Sequence, residues 1–152
     1  MKISDLEPKK PSINRHGTDR AVAAMIWCGD KLVLTKRRKT KTFSGWYAAV
    51  GGSVEEGECA IRAIQRETHE ETGVYIPRDD FKLIDCYQED GFKCFIFHVD
   101  FPAYRFIDLK NTEPIKHGPW RLYTAQEALK LPKLMPSLEE ILNRKLDKQP
   151  NP

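Results

Sequence analysis

No hydrophobic stretch in the sequence approaches the roughly 20 residues needed to cross a bilayer. Met1 to Arg20 is polar and proline-bearing, without the apolar stretch of a secretory leader. A membrane-spanning or secreted chain is therefore not expected, and the cytoplasm is the expected compartment. Cysteine is sparse: Cys28, Cys59, Cys86 and Cys94 form no Cys-x-x-Cys pair and stand near no histidine cluster. Zinc and thioredoxin-like chemistry thus have little support, and free thiols in reducing surroundings are the simplest reading. Charge of one sign is also lacking. The 25 Lys and Arg against 22 Asp and Glu leave +3, too little for a nucleic-acid coat, so partners must be read from local sites.

What is present suffices for one core. A chain of 152 residues, 40% hydrophobic and 31% charged, fits a single domain. At this size folding typically buries about 68–70% of the unfolded surface and needs no disulfide or zinc staple. The expected organisation is a flexible segment over residues 1–18, one domain over 19–148 and a disordered tail over 149–152.

Ala21 to Cys28 and Lys31 to Thr35, separated by Gly29-Asp30, read as a β-hairpin. Trp46 to Val50 reads as a further strand ended by Gly51-Gly52. Cys59 to Thr72 has no internal Pro or Gly and is followed by Gly73, so it reads as a helix with a left-handed C-cap. Phe81 to Tyr87 and Phe92 to Phe101 form a second hairpin around Gln88 to Gly91. Tyr104 to Ile107 and Trp120 to Tyr123 are shorter strand candidates. Thr124-Ala-Gln-Glu127 and Ser137-Leu-Glu-Glu140 each carry a capping-box pattern that starts a helix. The element order is α+β.

On a wheel of 100° per residue, Ala60, Ile61, Ala63, Ile64 and Thr68 of the first helix share one arc of about 160° that should face the core. Glu67 and Glu71 fall inside that arc, and Glu70 lies just beyond Ala63. Arg62, Gln65, Arg66 and His69 occupy the other side. These acids repel one another at i, i+3 and i+4 and stand near the negative end of the macrodipole. A single Arg66 is not expected to balance three of them, whereas hard divalent cations such as Mg²⁺ or Mn²⁺ would. A metal-and-phosphate site is the physical expectation.

Gly52-Ser-Val-Glu-Glu-Gly-Glu58, seven further residues, and Arg66-Glu67-Thr68-His69-Glu70-Glu71-Thr72-Gly73-Val74 resemble the Nudix box, Gly-x5-Glu-x7-Arg-Glu-U-x-Glu-Glu-x-Gly-U with U aliphatic. All seven fixed letters match across 23 residues; by chance this happens on the order of 10⁻⁸ or less per window. Two departures stand out. Thr68 replaces an aliphatic residue, and Val50 replaces the proline usual before Gly51-Gly52.

The resemblance implies an α/β/α sandwich with a mixed central sheet. It also implies hydrolysis, by water attacking phosphorus, of a diphosphate within a nucleoside diphosphate derivative. In the family, carboxylates matching Glu67, Glu70 and Glu71 bind metal, with Glu58 in support; Gly51 is counted with them, and Arg66 orients by ion pairing. The cation, Mg²⁺ or Mn²⁺, would neutralise phosphate oxygens and acidify the water. Gly52 is expected to approach the substrate's phosphates, with Gly51 and Gly57 giving the loop its backbone freedom.

Outside the box, Arg37 is the best placed member of the basic run Lys36 to Lys41 to reach phosphates. Trp27, Phe43, Trp46 and Tyr47 are candidates to stack on a base, with a core role as the alternative. Glu113, on a loop expected to move, is a candidate base, and His117 a weaker one. The favoured substrate is a nucleoside triphosphate, as in the MutT group. Dinucleoside polyphosphates, nucleotide sugars, ADP-ribose and an RNA 5′ end are the alternatives, the last supported only by the basic run. A monomer or homodimer acting on a small-molecule nucleotide is expected, with no membrane partner. A nucleotide-sensing module without hydrolysis is disfavoured by the intact acid set, and an isopentenyl diphosphate isomerase by the lack of a motif-placed cysteine and acid pair.

Overall fold

The computed structural model describes residues 19–40 and 43–147. The expected flexible segment and tail lie outside these residues.

β1 (Arg20–Cys28) is the spine of a seven-stranded mixed sheet. On one side it runs parallel to β6 (Phe92–Phe101), in register from Arg20 opposite Lys93 to Cys28 opposite Phe101. Its other side is shared. β4 (Val50–Ser53) pairs antiparallel with Ala21 to Ala24, and β2 (Lys31–Lys36) with Trp27 and Cys28. β3 (Tyr47–Ala48) and β7 (Arg121–Thr124) pair with β2, and β5 (Lys82–Glu89) forms the far edge against β6. The β5–β6 connection is Asp90-Gly91, with φ of +48° and +81°, the signs a two-residue hairpin turn requires.

Period-two alternation along β1 feeds two cores. Val22, Ala24, Ile26 and Cys28 face α1 (Ala60–Thr72), where they meet Val50, Ala63, Ile64, Phe97 and Val99. Met25 and Trp27 face α2 (Ala125–Leu129) and α3 (Pro136–Asp147), where Leu32, Leu34, Ile96, Ala128, Leu138 and Leu142 fill the layer. The expected α/β/α sandwich follows. Trp27 belongs to this second core, 5% exposed, with the Lys145 ammonium over its ring. Tyr47 packs edge-on against Tyr123.

Cys59 is the N-cap of α1, and Gly73 at φ +76° closes it by donating to the His69 carbonyl. The Thr124 capping box forms in full, its two bonds measuring 2.8 and 3.1 Å. Two expectations are corrected. Tyr104 to Ile107 is no strand: Pro102 starts a 3-10 helix over Ala103–Asp108, whose N–H groups bond three residues back instead of to a neighbouring strand. Ser137 caps nothing, because α3 starts one residue earlier with Pro136 in its first position, where a missing N–H costs nothing, and the Met135 carbonyl receives the Leu138 and Glu139 amides.

Candidate active site

α1 packs on β4 and β1 through Ala63, Ile64, Thr68 and Thr72. Thr68 keeps the inner position with no exposed surface and spends its hydroxyl on the Ile64 carbonyl at 2.7 Å, so the departure from an aliphatic residue leaves no orphan group. Val50 is likewise fully buried and pairs with Ala24 in the sheet. This phase brings Glu67 and Glu71 against the glycines of β4. The Gly51 N–H donates to Glu71 Oε1 at 3.0 Å.

Both glycines are explained by close approach. A Cβ on Gly52 would stand 2.3 to 2.6 Å from the Glu67 carboxylate, and one on Gly51 would stand 2.3 Å from the Val22 carbonyl oxygen. Of the two glycines expected to free the loop, Gly57 is in the left-handed region, at φ +77°. The Gly51 amide is engaged by Glu71.

Arg66 organises the rest. It clasps Glu58 with two bonds of 2.9 Å, from Nε and Nη2, and Nη2 also donates to the Ser53 carbonyl at 3.0 Å. Nη1 donates to Glu67 at 3.0 Å and to Glu70 at 3.2 Å, with Glu55 at 3.7 Å. Arg66 thus shares one positive charge among Glu58, Glu67 and Glu70, and of the three helix acids it was not expected to balance it leaves Glu71 to the Gly51 amide. Glu70, just outside the inward arc, is the more open, its side chain 49% exposed against 15% for Glu67.

Electrostatics separate these acids. The Arg66 hydrogen bonds hold Glu58 below the usual carboxylate range and raise Arg66 in return. Burial pushes Glu67 up to about 7 against the pull of Arg66, with Glu70 and Glu113 adding repulsion. Burial likewise pushes Glu71 up to about 8 against the Gly51 amide, with Glu67 and Glu113 repelling and Arg37 attracting. Glu67, Glu71 and Glu113 therefore sense one another across one space.

Arg37 follows β2 and bridges to His117; burial lowers its pKa, and Glu71 counteracts this. It is half-buried, whereas the basic residues Lys36, Arg38 and Lys39 of the same run are exposed. The loop bearing Glu113 is not free. The Arg38 N–H donates to the Lys116 carbonyl at 2.6 Å and Gly118 to Lys36 at 2.9 Å. Asn111 donates to the carbonyls of His117 and Gly118, both at 3.1 Å, and the Thr112 hydroxyl to the Glu70 carbonyl. Glu113 itself pairs with Lys116 at 2.9 Å. His117 is 5% exposed, tilted against Trp120, with Nδ1 2.7 Å from the Gly118 oxygen and Nε2 without a hydrogen bond among the described residues. Burial lowers its pKa. Phe43 and Trp46 form an edge-on pair at 5.7 Å.

Sequence reasoning missed Asn111, Thr112 and Arg38 as ties of this loop. No spacing rule carries the ties of Thr112 to Glu70 and of Arg38 to Lys116, 42 and 78 positions apart, and those of Asn111, six and seven positions away, lie within an irregular loop.

The donor set consists of carboxylate and backbone oxygens, the choice of a hard cation. Among the described residues no three His, Cys, Asp or Glu side chains already form a metal-holding group, since Arg66 takes one oxygen each of Glu67 and Glu70. The buried carboxylates nonetheless fit a divalent cation, which would offset the burial and mutual repulsion that raise the pKa values of Glu67 and Glu71. No helix among the described residues is long and apolar enough to cross a membrane.

Comparison with known proteins agrees with this geometry. A family model, described as the NUDIX domain, matches residues 17–145. The dihydroneopterin triphosphate diphosphatase of Escherichia coli K12 is 32% identical over 77 residues, 49% of each chain. The uncharacterized Nudix hydrolase YvcI of Bacillus subtilis is 33% identical over 63 residues, 41% of this chain and 37% of that protein. The chain thus spans about half the length, or less, of these curated relatives. Among solved structures, the MutT NUDIX hydrolase from Burkholderia pseudomallei superposes with a TM-score of 0.67 at 21% identity, over 82% of this chain and 95% of that one.

Proposed function

The chain belongs to the Nudix domain family, and on that premise we propose that it is a divalent-cation-dependent hydrolase of the diphosphate linkage in a nucleoside triphosphate or similar triphosphate. The observation that carries this reading is the pair Glu67 and Glu71, drawn against the β4 glycines with raised pKa values and with Glu113 in electrostatic reach. A purely structural helix gains nothing from burying two acids. The name of the E. coli relative, a triphosphate diphosphatase, supports a triphosphate ester as substrate.

Glu67, Glu70 and Glu71, with Glu58 in support and the Gly51 backbone beside them, would hold Mg²⁺ or Mn²⁺. When bound, such a cation neutralises phosphate charge and lowers the pKa of water. Arg66 orients the carboxylates: its fork fixes Glu58 on one side and draws Glu67 and Glu70 to the other. Gly52 keeps the Glu67 carboxylate close to β4, and Arg37, half-buried and near Glu71, is placed to meet a substrate phosphate. Glu113 is a proton acceptor carried on a tied loop, so it requires little reordering to act. The protein works on a small nucleotide in the cytoplasm, as a monomer or homodimer.

The test is a panel of nucleoside triphosphates, a pteridine triphosphate, nucleotide sugars, ADP-ribose and a dinucleoside polyphosphate, each assayed with Mg²⁺ for released phosphate products. Turnover of a triphosphate with release of pyrophosphate is the expected result. Exclusive turnover of ADP-ribose or a nucleotide sugar would overturn the substrate assignment.

A further inference from the structure

The face of α1 turned away from the sheet carries a second feature that the hydrolytic reading does not use. Arg62, Arg66 and His69 follow at i, i+4 and i+7 and, with Gln65, Tyr75 and Arg78, line an open groove of about 410 Å³. Its far wall is built. Gln65 Nε2 donates to the Ile76 carbonyl at 3.0 Å, and Val74 and Ile76 are buried, which anchors the segment leaving the helix. Tyr75, between those two buried residues, is 65% exposed and meets the exposed His69 ring edge-on at 6.5 Å.

The charges of this groove are unequal. Arg66 is neutralised by Glu58, Glu67 and Glu70. Arg62 and Arg78 form no ion pair among the described residues. The acid in electrostatic reach of Arg62 is Glu58, already clasped twice by Arg66, and no acid lines the groove. Two uncompensated guanidinium groups thus flank an exposed aromatic ring. Guanidinium forks match phosphate oxygens, and an aromatic face offers stacking to a planar ring. The volume lies within the roughly 300–1,000 Å³ of small-molecule sites.

We propose that this groove is a second nucleotide site, in which Arg62 and Arg78 bind the phosphate of a free mononucleotide and Tyr75 stacks on its base. Its lining omits Glu67, Glu70 and Glu71, so occupancy does not need a cation. Arg66 is the shared wall, which gives an anion in the groove a direct influence on the residue that orients Glu58 and Glu67.

The test is calorimetric titration of the full chain with 5′-AMP in EDTA at low salt. Wild type should bind AMP and Arg62→Ala/Arg78→Ala should bind it about tenfold or more weakly, the effect of losing charge-assisted hydrogen bonds. Both positions are exposed, so folding should persist, with circular dichroism as the check. Tyr75→Ala should weaken AMP about threefold while leaving inorganic phosphate binding unchanged, and Glu71→Gln should alter neither. Absence of AMP binding, AMP binding indifferent to the arginine pair, or loss of binding in Glu71→Gln would overturn the proposal. A 5′-phosphorylated oligoribonucleotide serves as the second arm, and binding of it without AMP would overturn the mononucleotide assignment. Each outcome is independent of hydrolysis, which is read separately as turnover in Mg²⁺.

Discussion

Beneath α2 and α3 the sheet meets an apolar layer of Met25, Trp27, Leu32, Leu34, Ile96, Leu138 and Leu142. Beneath α1 it meets Thr68 and Thr72, fully buried, with Glu67 and Glu71 at the edge of the layer. The two threonines remain compatible with burial because their hydroxyls return to carbonyls four residues back, at 2.7 and 2.6 Å. The two glutamates are bonded as well, Glu67 by Arg66 and Glu71 by the Gly51 amide at 3.0 Å each, yet burial still raises both pKa values. Both faces pack an apolar core, but the α1 face also holds at its edge acids that oppose burial more than Arg66 and Arg37 offset.

A crossed pair of substitutions breaks this contrast most forcefully. Glu67→Gln or Glu70→Gln should lower kcat by about 10²–10⁴-fold with little change in melting temperature. Leu142→Ala, fully buried on the opposite face, should cost about 2–5 kcal/mol of stability and leave kcat of the folded fraction intact. Glu56→Gln is the cleaner control, because Glu55 approaches Arg66 at 3.7 Å. Equal kinetic losses in all of these would dissolve the distinction between the faces.

Gly52→Ala follows in size. The added methyl would stand 2.3 Å from the Glu67 carboxyl carbon, so the carboxylate must move, and kcat should fall about tenfold or more, as displacement of a positioned group by about 1 Å does. Thermal melts of the variant separate this from unfolding.

A smaller effect concerns stability without cation. Glu67 and Glu71 are raised from 4.5 to about 7 and about 8 in the folded chain. Their neutral forms favour the fold, so that contribution is complete below pH 4.5 and is lost as pH rises through the folded values. In EDTA the melting temperature should therefore fall from about pH 4.5 to about pH 8 and then level. Glu71→Gln should flatten the slope, and an unchanged slope in that variant would reject the assignment.

Much of this was legible beforehand. The hairpins, the box helix with Gly73 and the inward phase of Glu67 and Glu71 follow from local periodicity and capping, which the chain expresses residue by residue. Non-local matters were not legible. The sharing of β1 between β2 and β4 and the ties of the Asn111 to Gly118 loop to Lys36, Arg38 and Glu70 depend on segments far apart in sequence, whereas the 3-10 turn at Ala103–Asp108 is local and its Tyr, Phe and Ile read falsely as a strand. The role of Arg66 was half legible: spacing identified its pair with Glu70, while the fork on Glu58 needed the loop after β4 to fold back.

Glu113 yields the smallest effect. Because its loop is tied and its carboxylate already pairs with Lys116, Glu113→Gln should lower kcat with KM nearly unchanged and recover partly at higher pH. A pH profile coincident with wild type would return Glu113 to the role of a loop acid.

The most direct test of the central claim, that the acid-bearing face of α1 is a cation-dependent hydrolytic site, is the rate of pyrophosphate release from the best triphosphate substrate as Mg²⁺ is withdrawn with EDTA. Circular dichroism is followed on the same sample. Turnover should vanish and return with added Mg²⁺ while the folded signal stays constant. Hydrolysis in EDTA at the rate seen with Mg²⁺ would contradict the account.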